Sequence, residues 1–198
     1  MDHTGPAVAA DVTDAAIIER SWQEPHCFAG VFDRHAPHLH RYLARRLGRE
    51  AADDLTAETF LAAFRRRDRY DVRRADARPW LYGIATNLIG QHRRAEVRRY
   101  RRALATPPAE VEPCPADRVV ADVTARASRA SLGAALAGLA AAERDVLLLV
   151  AWEDLSYDEV AAALGVPVGT VRSRLNRARR KVREALGPDP TADSEEPT

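Results

Sequence analysis

Over residues 170–183 the chain sets Thr170, Arg172, Ser173, Arg174, Asn176, Arg177, Arg179, Arg180, Lys181 and Arg183 between apolar residues three and four apart. Arginine can donate to O6 and N7 of guanine together, asparagine can engage N6 and N7 of adenine, and a serine or threonine hydroxyl can bond a base edge or a phosphate. On a helix entering a major groove, the early positions Thr170, Arg172, Ser173, Asn176 and Arg177 reach base edges. Arg174, Arg179, Arg180 and Lys181 suit phosphates. The same pattern also describes a solvated basic face with no ligand.

Such a helix needs a buried side and a partner to lie against. Val168, Val171, Leu175, Ala178, Val182 and Leu186 supply the buried side, and Pro167 suits the first turn. Upstream, Ser156 and Glu159 spell a capping box opening SYDEVAAAL, in which Val160, Ala161 and Leu164 share a face and Gly165 takes the C′ position. Two helices, a short glycine-containing turn and a basic second helix predict a helix-turn-helix.

The total charge hides this. The 198 residues include 30 Lys+Arg and 29 Asp+Glu, a formal net charge of +1. Residues 28–104 carry 18 basic and 9 acidic side chains, whereas residues 1–27 carry 1 and 5 and residues 188–198 carry 0 and 4. Lys181 is the only lysine, and arginine favours planar, bidentate contacts to phosphate or guanine. Arg93, Arg94, Arg98, Arg99, Arg101 and Arg102 against Glu96 make residues 91–102 net +5, a track for a single strand. Trp80 and Tyr82 could offer stacking faces. Helical spacing in WLYGIA favours a core place for Trp80 and leaves Tyr82 open.

Composition divides the chain. Residues 1–16 and 188–198 read as disordered tails, the second acidic. Pro107, Pro108, Pro113 and Pro115 mark residues 106–130 as a flexible linker between units at 17–105 and 131–187. Both units read as helical. In the first, Phe28, Val31, Phe32, Leu39, Tyr42, Leu43 and Leu47 repeat at three and four up to Gly48. Asp53 and Asp54 are expected to open a helix running to Arg67, with carboxylates at its positive end. Leu81, Ile84, Ala85 and Leu88 follow Pro79 in a further helix.

Enzyme classes fare poorly. His35, His38 and His40 do not share a helical face, which disfavours a metal site there, and no phosphate-cradling glycine loop, nucleophile elbow or HExxH occurs. Cys27 and Cys114 are too few for a disulfide framework and fit a reducing cytoplasm. Without a signal peptide or a run of about 18 apolar residues, membrane insertion is not expected. No cofactor is expected either.

Leu136–Leu186, with its GVPVGTVRSRLNRAR, closely resembles region 4 of sigma-70 family factors of the extracytoplasmic-function (ECF) group. That half alone would also fit a LuxR-type regulator. ADDLTAETFLAAFRRRDRYD (Ala52–Asp71) followed by RPWLYGIATNLIGQHRR (Arg78–Arg94) resembles region 2 of the same group, in the same order. The resemblance implies an all-α fold of two small helical domains, a region 2 bundle and a region 4 helix-turn-helix, with no third sigma domain. It implies a cytoplasmic initiation factor, not an enzyme, that directs core RNA polymerase to promoters in response to a stress or environmental signal.

The resemblance also assigns sites. Asp54, Glu58, Thr59 and Phe60 would meet the polymerase clamp, although Ala57 stands where the group often has glutamine. Asp53 and Asp54 as helix caps and Phe60 as core remain an alternative. The loop Tyr70–Arg78, including Asp71, Arg73 and Arg74, would receive a base flipped out of the minus-ten element on the melted non-template strand. Asn87, Gln91 and Arg94 would lie beside it. Thr170, Arg172, Ser173, Arg174, Asn176, Arg177 and Arg180 would contact the minus-thirty-five duplex. An anti-sigma protein is the further partner implied.

Overall fold

The computed structural model describes residues 12–105 and 131–187. The expected linker at 106–130, with Cys114, and the expected tails at 1–11 and 188–198 lie outside the described residues. The chain forms two compact units, and every regular element among the described residues is helical.

The first unit starts earlier than composition suggests. Helix α1 spans Asp14–Arg20, and the Thr13 hydroxyl accepts from the Ala16 N–H. Residues 12–16 are therefore not tail. An N-cap threonine four residues before an apolar pair, Ile17 and Ile18, starts a helix in an alanine-rich segment. Asp14, Ala15 and Ile18 are buried.

Helix α2 (Ala29–Leu47) and helix α3 (Arg49–Arg65) are separated by Gly48 alone. Gly48 N–H bonds the Ala44 carbonyl, and Gly48 O accepts from Ala52 N–H. Its φ of 89° and ψ of 167° lie where essentially only glycine sits. One residue thus ends one helix and starts the next. This moves the start of α3 four residues ahead of Asp53, so Asp53 and Asp54 lie beyond the first turn and are not caps. Asp53 instead accepts from His40 Nε2 at 2.7 Å. The helix also stops short of Arg67, which belongs to a separate 3-10 turn, Arg67–Arg69.

Aromatic edges join α2 to α3: Phe28 meets Phe64 with ring centroids 5.5 Å apart and Phe32 meets Phe60 at 4.8 Å. Helix α4 (Arg78–Ala105) joins through Tyr82, which packs edge-on against Tyr42 at 5.2 Å. Tyr42, Leu39, Leu43, Leu81 and Ile89 are fully buried between them.

In the second unit residues 131–137 are helical, followed by α5 (Ala141–Glu153), α6 (Tyr157–Leu164) and α7 (Val168–Leu186). The Arg144 guanidinium donates to the carbonyls of Leu136, Ala137 and Leu139 at 2.6, 2.7 and 2.9 Å, which satisfies orphan acceptors at the end of the first helical stretch. Asp154, with φ 51°, turns the chain from α5 towards α6. Val146, Leu149, Val160, Val171, Leu175 and Ala178 form the core. The apolar stripe of α7 is buried in its middle, while Leu186 is 45% exposed.

Candidate nucleic-acid interface

The capping box forms as its sequence predicts. Glu159 Oε2 accepts from the Ser156 N–H and hydroxyl, each at 2.7 Å, and Ser156 Oγ accepts from Glu159 N–H at 3.3 Å. Gly165 adopts φ 63°, and Val166 N–H bonds the Ala161 carbonyl at 3.0 Å, closing α6 in a Schellman turn. Pro167 is the extended N-cap of α7, one residue ahead of the expected first helical position. Burying Val171, Leu175 and Ala178 leaves Arg172, Ser173, Asn176, Arg179 and Arg180 exposed. Thr170 and Arg174 are half-buried. The Ser173 hydroxyl donates back to Thr170 O at 3.0 Å.

Arg177 is exposed and also makes an ion pair within the unit. Its guanidinium lies 3.4 Å from Glu143 Oε1, and Lys181 Nζ lies 2.8 Å from Glu143 Oε2. Arg177 and Lys181, four residues apart, thus share the side of α7 turned towards α5. Hydrogen bonding from Lys181 holds the Glu143 carboxyl below the usual glutamate range despite its desolvation, aided by the charges of Lys181 and Arg177. Arg172, Ser173 and Asn176, with Arg180 one turn on, stand exposed. Glu143 was not singled out in the sequence because its two partners lie on another helix.

In the first unit the loop between the 3-10 turn and α4 is closed on itself. Tyr70 is buried, its hydroxyl donates to Arg74 O at 2.6 Å, and its ring sits 5.0 Å from Trp80. Burial, then the nearby Asp14 and Asp76 carboxylates, push the Tyr70 phenol up to about 12, so it stays protonated and able to donate. Asp71 accepts from Arg73 Nε at 2.8 Å and Nη2 at 3.0 Å, with Arg74 Nε at 3.7 Å. The Arg73 hydrogen bond is the main cause that lowers the Asp71 carboxyl. Asp76 Oδ1 accepts from the Arg78 N–H at 2.8 Å, starting α4. Asn87, Gln91 and Arg94, at i, i+4 and i+7, are all exposed on α4. Trp80 is half-buried against Tyr70. Tyr82, left open by its sequence, is core, while Tyr100 further along α4 is 66% exposed.

The third expected site splits. Asp54 and Glu58 are exposed, one turn apart, with Leu61 47% exposed on the same side. Thr59 and Phe60 are buried, and the Thr59 hydroxyl donates to Leu55 O at 2.6 Å. They face the core because α3 presents Leu55, Thr59, Phe60 and Ala63 to the rest of the unit, which places Phe60 as the alternative reading had it. His35, His38 and His40 also disperse, to Asp14, Arg41 and Asp53 respectively.

One carboxylate that sequence reading missed anchors this unit. Asp14 Oδ1 accepts from Arg34 Nη1 at 3.1 Å, and Asp14 Oδ2 accepts from His35 Nε2 at 2.7 Å and Ala77 N–H at 3.0 Å. Burial alone would raise its carboxyl. The hydrogen bonds from His35 and Ala77, the charge of His35 and the bond from Arg34 outweigh burial and bring it from 3.8 to about 2. A depressed carboxylate contributes stability above its unfolded pKa and loses it as pH falls through the folded value. Its contribution, about 2 kcal/mol, is therefore expected to be complete above about pH 5 and lost between about pH 4 and pH 2. Chemical denaturation across that range should show a shallower acid limb for Asp14→Asn.

Residues 31–99 match the Sigma-70 region 2 family and residues 129–182 match Sigma-70 region 4. The ECF RNA polymerase sigma factor SigE of Mycolicibacterium smegmatis is 36% identical over 186 residues, spanning 92% of this chain and 68% of that one. The chain belongs to the ECF sigma factors. CnrH, solved in complex with the cytosolic domain of CnrY, superposes with a TM-score of 0.60 at 26% identity, covering 87% of this chain and 96% of CnrH. RpoE from Bartonella quintana, solved with the anti-sigma factor NepR, shares the fold with a TM-score of 0.59 at 24% identity, over 80% of this chain and 96% of RpoE. As an ECF sigma factor the protein directs core RNA polymerase to specific promoters and initiates transcription there. The two matched regions leave no third sigma domain between them. No helix among the described residues is long and apolar enough to cross a membrane.

Proposed function

We propose that this sigma factor reads the minus-thirty-five element with Arg172, Ser173 and Asn176, supported on phosphates by Thr170, Arg174 and Arg180. The loop Tyr70–Arg78 takes a flipped minus-ten base beside Asn87, and Gln91 and Arg94 guide the melted non-template strand along α4. Extruding a base costs a few kcal/mol, which a pocket with hydrogen-bonding and stacking groups offsets. Arg177 serves chiefly to join α7 to α5. The observation that carries this reading is the exposed Arg172, Ser173 and Asn176 face on a helix held by a complete capping box and a buried stripe.

In this reading the unit from residue 17, extended by α1, to residue 105 acts at the minus-ten element. The unit at 131–187 acts at the minus-thirty-five element, with 106–130 as linker. The factor works in the cytoplasm and contributes no bond-making step of its own; that chemistry is the polymerase's. An anti-sigma protein holds it inactive in this reading, supported by the solved relatives RpoE, bound to the anti-sigma factor NepR, and CnrH, bound to the cytosolic domain of CnrY.

Adding the purified protein to sigma-free core polymerase and a promoter template tests the proposal. Sequence-specific initiation supports it, whereas tight specific DNA binding that ignores core would favour an ordinary regulator. Asp54 and Glu58 form the surface for the clamp in this reading, by charge complementarity that chiefly sets association rate and register. Asp54→Lys with Glu58→Lys is expected to slow association with core about tenfold and invert its salt dependence, as read by fluorescence anisotropy. Phe60→Ala should act instead through stability, at a cost of about 3–5 kcal/mol.

A further inference from the structure

Helix α1 takes no part in the contacts proposed above, yet it is bound to the segment that enters α4. Asp14 is 6% exposed, and its two oxygens accept from three donors on two elements: Arg34 and His35 of α2 and the peptide N–H of Ala77. A parallel main-chain bond runs from Ala15 N–H to Ala75 O at 3.4 Å. Arg34 also donates to Val12 O at 2.6 Å, which pins the start of α1 to α2. Asp14, His35 and Asp76 bring possible ligand atoms within 4.8 Å of one another. The Arg34 guanidinium already supplies a positive charge to Asp14, so the cluster is built as an ion-paired anchor.

We infer that Asp14 is a positioning residue for promoter melting: clamped by Arg34 and His35, its carboxylate holds the Ala77 N–H and so fixes where the Tyr70–Arg78 loop meets α4. This rests on the assignment of that loop to a flipped minus-ten base. The loop closes on itself through Tyr70 to Arg74 O and Asp71 to Arg73. These bonds set its internal shape but do not attach it to the rest of the unit. Attachment comes through Asp14 to Ala77 N and Ala15 to Ala75 O, both from α1, through the Tyr70 ring packed on Trp80, and through the covalent start of α4. A base pocket must hold its groups to within about 0.5 Å of the productive geometry. Losing the carboxylate frees Ala77 and Asp76 to shift, and the recognition of one base should loosen before the helices separate. Asp14 touches no DNA in this account and acts only through the loop.

The test uses full-length protein assembled with core polymerase on a promoter where the unaltered holoenzyme initiates. The probe is a single-stranded oligonucleotide carrying the non-template minus-ten sequence, with its set of single-base substitutions. Asp14→Ala is expected to lower the affinity ratio between the correct and substituted base at one position at least tenfold. Affinity for core should change less than twofold. Asp14→Asn keeps an acceptor for the Ala77 N–H and should recover part of the ratio. An unchanged ratio in both variants overturns the inference. So does a ratio that falls only in step with core affinity, the mark of a purely structural role. Should Asp14→Ala lose its helical circular dichroism, the ratio in Asp14→Asn decides by the same criteria. Asn87→Ala separates the underlying assignment. If the unaltered holoenzyme shows no minus-ten preference and Asn87→Ala changes nothing, the loop assignment fails and this inference with it. A preference that responds to Asn87 but not to Asp14 overturns the inference alone.

Discussion

Arg172→Ala should cost the holoenzyme about 1–3 kcal/mol at its minus-thirty-five element, roughly a five- to 150-fold loss, and should relax preference at one or two base positions. The side chain is exposed on α7 close to its N-terminus, and no ion pair among the described residues engages it. A bidentate arginine–guanine pair would therefore form without first breaking an internal contact. Competition binding against a panel of single-base promoter variants reads the result. Equal weakening on every variant would identify Arg172 as a phosphate contact, with a fall of about one in the salt slope. Arg177→Ala is the informative comparison. Arg177 must leave Glu143 before it can reach DNA, so its removal should change base preference less than removal of Arg172.

Leu175→Ala is expected to cost the second unit about 2–5 kcal/mol, because Leu175 is 1% exposed in its core and truncation leaves a cavity. Small domains hold only about 5–15 kcal/mol in total, so this loss is a large share of what keeps α7 seated. A denaturant midpoint that falls with an unchanged slope would report it. Minus-thirty-five binding should fall for every promoter sequence alike, since a displaced α7 carries all its base-reading groups away together. Arg172→Ala alters which bases are preferred, whereas Leu175→Ala alters how much folded unit there is to bind.

The helix-turn-helix was legible because its signals are local. Ser156 and Glu159 lie one turn apart, Gly165 supplies a positive φ that other residues resist, and Val171, Leu175 and Ala178 repeat with the helical period. Each can be read within a few residues, and all appear in the structure. The start of α3 was misplaced by four residues because the acidic pair Asp53–Asp54 imitates a first turn, whereas Gly48 closes one helix and opens another in a single step. The Ala-, Gly-, Pro- and Asp-rich composition of residues 1–16 likewise concealed the Thr13 N-cap.

Roles that depend on facing were not legible. Helical spacing alone does not say which side of α3 meets α2, and so Thr59 and Phe60 were set with Asp54 and Glu58 against the clamp, with Phe60 as core the alternative. Packing against α2 turned the first two inward and left the second two exposed. Arg172 and Arg177 are chemically identical and five residues apart. A carboxylate on α5 pairs with Arg177 and not with Arg172.

The amino-acid sequence by itself determined the helical class, the two charged units, the recognition-helix grammar and membership of the ECF sigma factors. The first three follow from period, caps and local charge, which act over one or two turns of chain. The family follows from the resemblance of the motifs in Ala52–Arg94 and Leu136–Leu186 to regions 2 and 4. Only the tertiary structure decided that Arg177 pairs with Glu143, that Tyr82 is core, and that Asp14 bonds the Ala77 N–H at the end of the Tyr70–Arg78 loop. Each of these depends on a partner brought close by packing, and 63 residues of chain separate Asp14 from Ala77.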